Sequence, residues 1–485
     1  MHLDFLASNE LGGRYTLAPN FAISARYLAA HLKAYGFRGG GTNGDFLQFF
    51  AVASSKPDTA KSSLSYTIGG QTASYKYGDF FTFGESGNAD VQGQVVFVGY
   101  GISSASQKHD DYSGLDVKGK IVLIVRGTPE GVDASKLDDR DHGEGAARTH
   151  GAIGILAVPP QQAAGFLRDK NFREHAGERE SVGLAKSGNE AAIPVLTLGP
   201  DLAEKILAPL AVDLKTLYRS EKQNRPLVPK ALDTSARIVL SMQMTKSVTQ
   251  NVAGILEGAD PELKKEYVVF SAHYDHLKTN AKGQIFPGAD DDGSGTSAVL
   301  AIAHAMSLNR PRRSVLIMFH AGEELGLLGS EYNTEVAPVV PLDKMVVDLN
   351  IDMIGRSKPK GDTEKADEHL TDSNTVYLVG ADRISRELHK LSEDTNADYQ
   401  KLNLNYYYND PDNPERIYYR SDHWNYARHG IPIIFYFDGV HVDYHQPTDT
   451  VDKIDFAKLA SIARLVFETG WRVANLDHRL IKESK

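Results

Sequence analysis

From about residue 236 the chain alternates short apolar runs with helical stretches, and this pattern leaves few folds open. The runs are 267–271 (YVVFS), 314–319 (SVLIMF), 345–351 (MVVDLNI), 375–379 (TVYLV) and 431–437 (IPIIFYF), with helices between them, for example 294–308 and 383–393. Strands without polar alternation must be covered on both faces. The pattern therefore predicts an α/β fold: a mixed, mostly parallel central sheet with helices on both faces. Upstream, residues 19–36 read as a helix with Asn20 as cap and Gly36 as stop. Residues 52–94, rich in Ser, Thr, Gly and Tyr, read as hairpins or meandering strands. Residues 95–215 read as a unit of their own, a smaller mixed α/β or β-rich domain, with strands at VVFVGYG, KIVLIVRG, AIGILAV and IPVLTLG. Residues 356–374 and 404–417 read as polar loops.

In open α/β sheets, ligands bind beyond the carboxyl ends of the strands. Four of the apolar runs lead there into acids and histidines: His273-Tyr274-Asp275, His320 through Glu323-Glu324, Asp352, and Asp443-Tyr444-His445. A fifth cluster, GADDDGSG, places Asp290, Asp291 and Asp292 just before a helix. One carboxylate at a strand end is usually a helix cap or a surface group. Five clusters at one sheet edge concentrate negative charge at a high cost unless cations compensate it.

Composition restricts which cations. The chain has 0 cysteines among 485 residues, so thiolate zinc sites, iron–sulfur clusters, disulfides and cysteine nucleophiles are excluded. Histidine plus carboxylate ligands suit zinc best, with manganese or cobalt also accepted. A net charge of −10 argues against a nucleic-acid partner. No apolar run approaches the roughly 20 residues of a membrane span. The opening MHLDFLASNE has neither the charged nor the apolar segment of a signal peptide.

The segments SAHYDH, PGADDDGSGTSAVL, HAGEELGLLGS, LNIDMIGR, YRSDHWNYARHGIPIIF and DYHQPTDTVDKID resemble, in order, the blocks of the M28 family of zinc peptidases. The likeness spans about 250–455 and extends weakly to ELGGRYTLAPNFAISARYLA near the start. The 95–215 unit resembles the protease-associated domain that many members carry as an insertion. On this reading residues 1–60 and 236–485 form the peptidase domain, and 61–235 are the inserted domain with its flanking strands.

The resemblance implies two zinc ions per chain, held by His273, Asp291, Glu324, Asp352 and His445. Asp291 bridges; His273 and Asp352 complete one ion's set, Glu324 and His445 the other's. Glu323 takes the place of the general base, and Tyr418 that of a tyrosine hydrogen-bonded to the oxyanion. Asp275 would orient His273, with Ser421 and Asp422 shaping the site. His276, His320, His423, His429 and His441 stand outside the family's ligand positions, His441 being the foremost among them as a substrate contact. The loop from Tyr406-Tyr407-Tyr408 to Arg416 is expected to line the pocket.

The implied activity is release of N-terminal residues from peptide substrates, with export from the cytoplasm and the signal peptide absent from this sequence. Three alternatives stand beside it. A carboxypeptidase or dipeptidase of the same family would need a cation for the terminal carboxylate, for which Arg356 and Arg420 lie close enough. A glutaminyl-cyclase-like transferase would use one zinc. A non-catalytic binding homologue would have no need to retain all five ligands and Glu323.

Overall fold

In the computed structural model of the chain, which describes residues 1–83, 87–138, 140–178, 180–185, 193–208, 214, 217, 227–411 and 413–483, the apolar runs of the second half lie side by side in one sheet. Two compact units divide the chain: Met1–Ala51 with Ser247–Lys485, and Val52–Lys246. In the first, we number helices α1 (Phe21–Ala34), α2 (Gly293–Leu308), α3 (Arg386–Asp398), α4 (His423–Ala427) and α5 (Phe456–Asn475). Its strands include β1 (Leu47–Pro57, to residue 51), β2 (Met242–Leu256, from residue 247), β3 (Tyr267–His273), β4 (Ser314–His320), β5 (Met345–Ile351), β6 (Thr375–Val379), β7 (Asn403–Asn405) and β8 (Ile433–Phe437).

The strands lie in the order β1-β2-β4-β3-β5-β8-β6-β7. The central four, β4, β3, β5 and β8, are mutually parallel, whereas β2 and β6 pair antiparallel to their inner neighbours. Every residue of β4, β5 and β8 is buried, as strands covered on both faces must be. Adjacent residues show the two faces. Phe270 and Leu349 pack against Gly470 of α5, where a methyl group would overlap the Phe270 ring and stand 3.0 Å from Leu349. Val269, Leu316 and Phe435 instead share a core with Tyr426 and Ala427 of α4. After β3 the chain crosses through α2 to β4 on one side, then returns to β5 on the other side of β3. That reversal opens a crevice at the carboxyl ends of β3 and β5.

The helix at the start is α1. Asn20 precedes it without a side-chain capping bond, and Gly36 follows its last turn with φ +83°. The 404–417 stretch holds more order than a polar loop: β7 and a 3₁₀ turn at Tyr407–Asn409.

The second unit is built on an eight-stranded sheet in the order 71–76, 63–68, 230–240, 89–97, 121–125, 154–158, 195–198, 80–81. Strands 89–97, 121–125, 154–158 and 195–198 run parallel. Val95, Leu123 and Leu156 face a core with Ile206 and Leu207 of the helix Pro200–Leu207. Their neighbours Val96, Val122 and Ile155 face Ala146 and Ala147 of the helix Gly143–Thr149. It is thus an α/β layer structure with both sheet faces covered. Among the described residues no helix is long and apolar enough to cross a membrane.

Candidate metal centre

The crevice beyond β3 and β5 gathers the acids and histidines that follow four strands. His273, the last residue of β3, is almost wholly buried. Its Nε2 lies 3.2 Å from Asp291 Oδ1, 3.5 Å from Asp352 Oδ1 and 3.9 Å from Glu323 Oε2. The other oxygen of Asp291 faces away, 3.1 Å from His445 Nε2 and 3.7 Å from His276 Nδ1. Glu324 meets the same two imidazoles, His445 at 3.0 Å and His276 at 2.7 Å. Asp291 therefore stands between two imidazole–carboxylate groups, one oxygen to each.

Three consecutive aspartates divide the work of placing this carboxylate. Asp290 accepts from the Gly355 amide at 2.6 Å and faces His441 Nε2 at 3.2 Å. Asp292 caps α2 by accepting from Gly295 N at 2.9 Å, and also accepts from Met353 N at 3.2 Å. With both neighbours pinned, Asp291 is left to point into the crevice. Its loop is held from outside as well. The Asp290 and Asp291 amides donate to Asp449, and the buried Arg14 guanidinium donates to Pro287 O at 2.6 Å and Gly288 O at 2.9 Å.

The Asp275 carboxylate accepts from Thr16 Oγ1 at 2.7 Å and from the Glu323 amide at 3.2 Å, while His273 Nδ1 meets the Asp275 carbonyl oxygen at 3.2 Å. Asp275 thus ties the His273 ring to the loop that carries Glu323 and Glu324. Ser421 accepts from Asn350 Nδ2 at 3.0 Å, and Asp422 accepts from Ser330 Oγ. Burial raises the Asp422 carboxyl to about 7.

The donors fit a metal. Nε2 of His273 and of His445, Nδ1 of His276 and Oε1 of Glu324 are buried without hydrogen-bond partners, where buried polar atoms ordinarily have them. Ligands on a tetrahedral zinc with bonds of about 2.0–2.1 Å sit roughly 3.3 Å apart, close to the 3.0–3.5 Å found between His273, Asp291, Asp352, Glu324 and His445. Two sets of three lie close enough to share an ion: His273, Asp292 and Asp352; and His276, Asp291 and Glu324. Asp292 serves two backbone amides through Oδ1, and its other oxygen, Oδ2, is buried without a partner and free to reach a cation beside His273 and Asp352. The field of the cluster calls for positive charge. Burial favours a neutral His445, yet Asp291 and Glu324 push it up to about 10. Burial likewise opposes ionisation of Asp291, but His276, His273 and His445 together hold its carboxyl well below the usual range. Glu323 goes the other way: burial, with Asp352 and Glu324 adding to it, drives it well above the usual range against the pull of His273.

The family model described as Peptidase family M28 matches residues 251–470, the stretch that carries β3 to β8 and all of the clustered acids. That stretch, a little under half of the chain, is what resembles peptidase family M28. Among relatives, the chain is 28% identical over 269 residues to a "Probable leucine aminopeptidase" of Arthroderma benhamiae, covering 49% of this chain and 67% of the relative. It is 25% identical over 232 residues to "Aminopeptidase YwaD" of Bacillus subtilis, covering 46% and 44%. A solved aminopeptidase from Aneurinibacillus sp. strain AM-1 superposes with a TM-score of 0.55 at 19% identity, over 100% of this chain and 95% of that one, and shares the fold.

The structure separates some residues from the cluster and brings in others. Tyr418 is buried in the core, its ring capped by the Arg383 guanidinium at 3.9 Å, and is not among the residues lining the crevice. Tyr444 lines it instead, stacked on His445 with ring centres 3.9 Å apart. His441 is buried between Asp290 and Arg356 and faces no substrate space. The three tyrosines of the 406–408 loop also turn elsewhere. Tyr406 donates to Glu393, Tyr407 stacks on His369, and Tyr408 packs on Tyr377. His276, read from sequence as an ordinary histidine, joins the cluster. It follows Asp275 directly, and that adjacency was the available signal.

Proposed function

We propose that this chain is an aminopeptidase that holds two zinc ions and releases N-terminal residues from peptides. The observation that carries the reading is Asp291, whose two oxygens face two separate groups of imidazole and carboxylate. His273 and Asp352 would hold one ion, Glu324 and His445 the other, and Asp291 both. When bound, such a pair supplies Lewis-acid polarisation of the scissile carbonyl and lowers the cost of deprotonating water beside it.

The remaining work falls to the protein. Glu323, fixed by its amide on Asp275, takes the proton of the attacking water on its carboxylate and gives it to the leaving nitrogen. Its raised affinity for a proton suits a group that must carry one between two steps. Tyr444 offers a hydroxyl at the wall of the same crevice, in the role first assigned to Tyr418. Met353, Ile417, Phe435, Phe437 and Val440 form apolar walls for a substrate side chain. The names of the relatives support an amino-terminal rather than a carboxy-terminal preference. Within this reading, Val52–Lys246 is an inserted protease-associated domain, supported by the sequence resemblance, and export is carried by that resemblance alone.

The test is hydrolysis of free and N-acetylated aminoacyl amides, before and after chelation, with metal analysis. Cleavage of free-amine substrates only, lost with the metals and restored by zinc at about two ions per chain, is expected. Cleavage of N-blocked peptides with a free carboxyl end would replace the reading by a carboxypeptidase.

A further inference from the structure

Among the described residues, one cation at the crevice, Arg420, pairs with no acid. The 3₁₀ turn Ile417–Tyr419 puts residues three apart on one side, so Ile417 and Arg420 both line the crevice while Tyr418 turns into the core. The arginines nearby in sequence or in the site are committed. Arg356 pairs with Asp443 at 2.7 Å, Arg383 covers Tyr418, Arg416 covers Tyr419, and Arg428 pairs with Glu335. Arg420 is exposed, and among the described residues its hydrogen bond is a long one of 3.5 Å to Tyr444 Oη. It lines the same crevice as Asp291, Glu323 and Asp352, with Met353, Ile417, Phe435, Phe437, Val440 and Tyr444 as the other walls.

We infer that Arg420 binds a carboxylate of the substrate. The inference rests on the aminopeptidase reading and adds a substrate class to it: short peptides with a free amino end and a carboxylate close to the scissile bond. A guanidinium presents parallel N–H donors that match a carboxylate in two bonds. The acids of the same crevice do not compete, because they face the imidazoles of the metal cluster. Tyr444 stands between Arg420 and His445, so a carboxylate on Arg420 lies one aromatic side chain away from the cluster. The carboxylate has two sources, the terminal carboxyl group of a dipeptide or the side chain of an acidic residue after the scissile bond.

The experiment measures kcat/KM of the metal-loaded wild type, Arg420→Ala and Arg420→Lys on two substrate pairs. One is leucyl-leucine against leucyl-leucinamide; the other is leucyl-glutamic acid α-amide against leucyl-glutaminamide. In Arg420→Ala the acid-to-amide ratio of one pair falls about 10- to 100-fold, mainly through KM, as loss of a hydrogen-bonded charge pair requires. Arg420→Lys, which keeps the charge without the fork, falls in between. A drop confined to the first pair assigns the terminal carboxylate, and one confined to the second the side chain. Both ratios within twofold of wild type, with turnover persisting, overturn the inference and leave the aminopeptidase reading standing. A wild type that binds its metals and cleaves none of the four overturns both.

Discussion

His276 offers a measure of how far the metal centre extends beyond its five sequence-assigned ligands. Its Nδ1 lies 2.7 Å from Glu324 Oε1 and 3.7 Å from Asp291 Oδ2, and its ring is fully buried. His276→Ala leaves that glutamate oxygen buried with its nearest nitrogen removed. Removing a side chain that orients a metal ligand typically costs about 10- to 100-fold in metal affinity. The loss should fall on one ion. His273 and Asp352 meet each other at 3.5 Å without involving His276. Chelator competition with metal analysis should therefore resolve one weakened site and one near wild-type affinity. His276→Gln, which fills more of the space, separates the void from the missing nitrogen. Two ions held as tightly as in the wild type would refute the assignment. Two ions weakened equally, with a lowered melting temperature, would show His276 to be a packing residue only.

On the proposed two-zinc reading, in which Glu324 would supply the ligand oxygens, Glu323→Gln should retain both metals while kcat falls by about 10²–10⁴-fold. Near-normal turnover would remove Glu323 from the mechanism. Asp348, buried in β5 and accepting from Ser271 at 2.7 Å, is raised by burial to about 8. Because its folded value lies above the unfolded one, the stability it contributes is full in acid and is lost as pH rises from about 4 to about 8. The stability of Asp348→Asn relative to wild type should accordingly climb by about 1.4 kcal/mol per pH unit across that window, and denaturant titrations at pH ~5 and ~7 that show a constant difference would contradict this. Gly470→Ala should destabilise by about 1–3 kcal/mol despite the better helix former, since its methyl group meets Phe270; an unchanged or raised melting temperature would show that the ring yields.

The sheet was legible because its strands are buried on both faces and carry no polar alternation, so 345–351 could be read to the residue. The cluster was legible because its members follow strand ends, where the crevice must form. What escaped the sequence depends on partners far along the chain. Tyr418 and Tyr419 are equivalent as letters; Arg383, more than thirty residues earlier, caps the first and draws it inward. His441 looks free until Asp290 is placed beside it. His276 reaches the cluster only because Gly288, at φ +56°, has no side chain: a Cβ there would collide with the Asp291 carbonyl and stand 2.6 Å from the His276 ring. The tyrosines at 406–408 are spent on Glu393, His369 and Tyr377, contacts that no local pattern announces.

The loop that presents Asp291 is suspended between Arg14 and Asp449, groups more than four hundred residues apart in sequence. A ribosome must therefore reach residue 449 before that loop can be fixed. Until residue 449 emerges, the growing polypeptide carries the aspartates without the acceptor for their amides, and His445 is missing for nearly as long. A hydrolase assembled in this order stays inert through its own synthesis. Loss of Arg14 or of Asp449 should disarm it as surely as a change among the clustered acids.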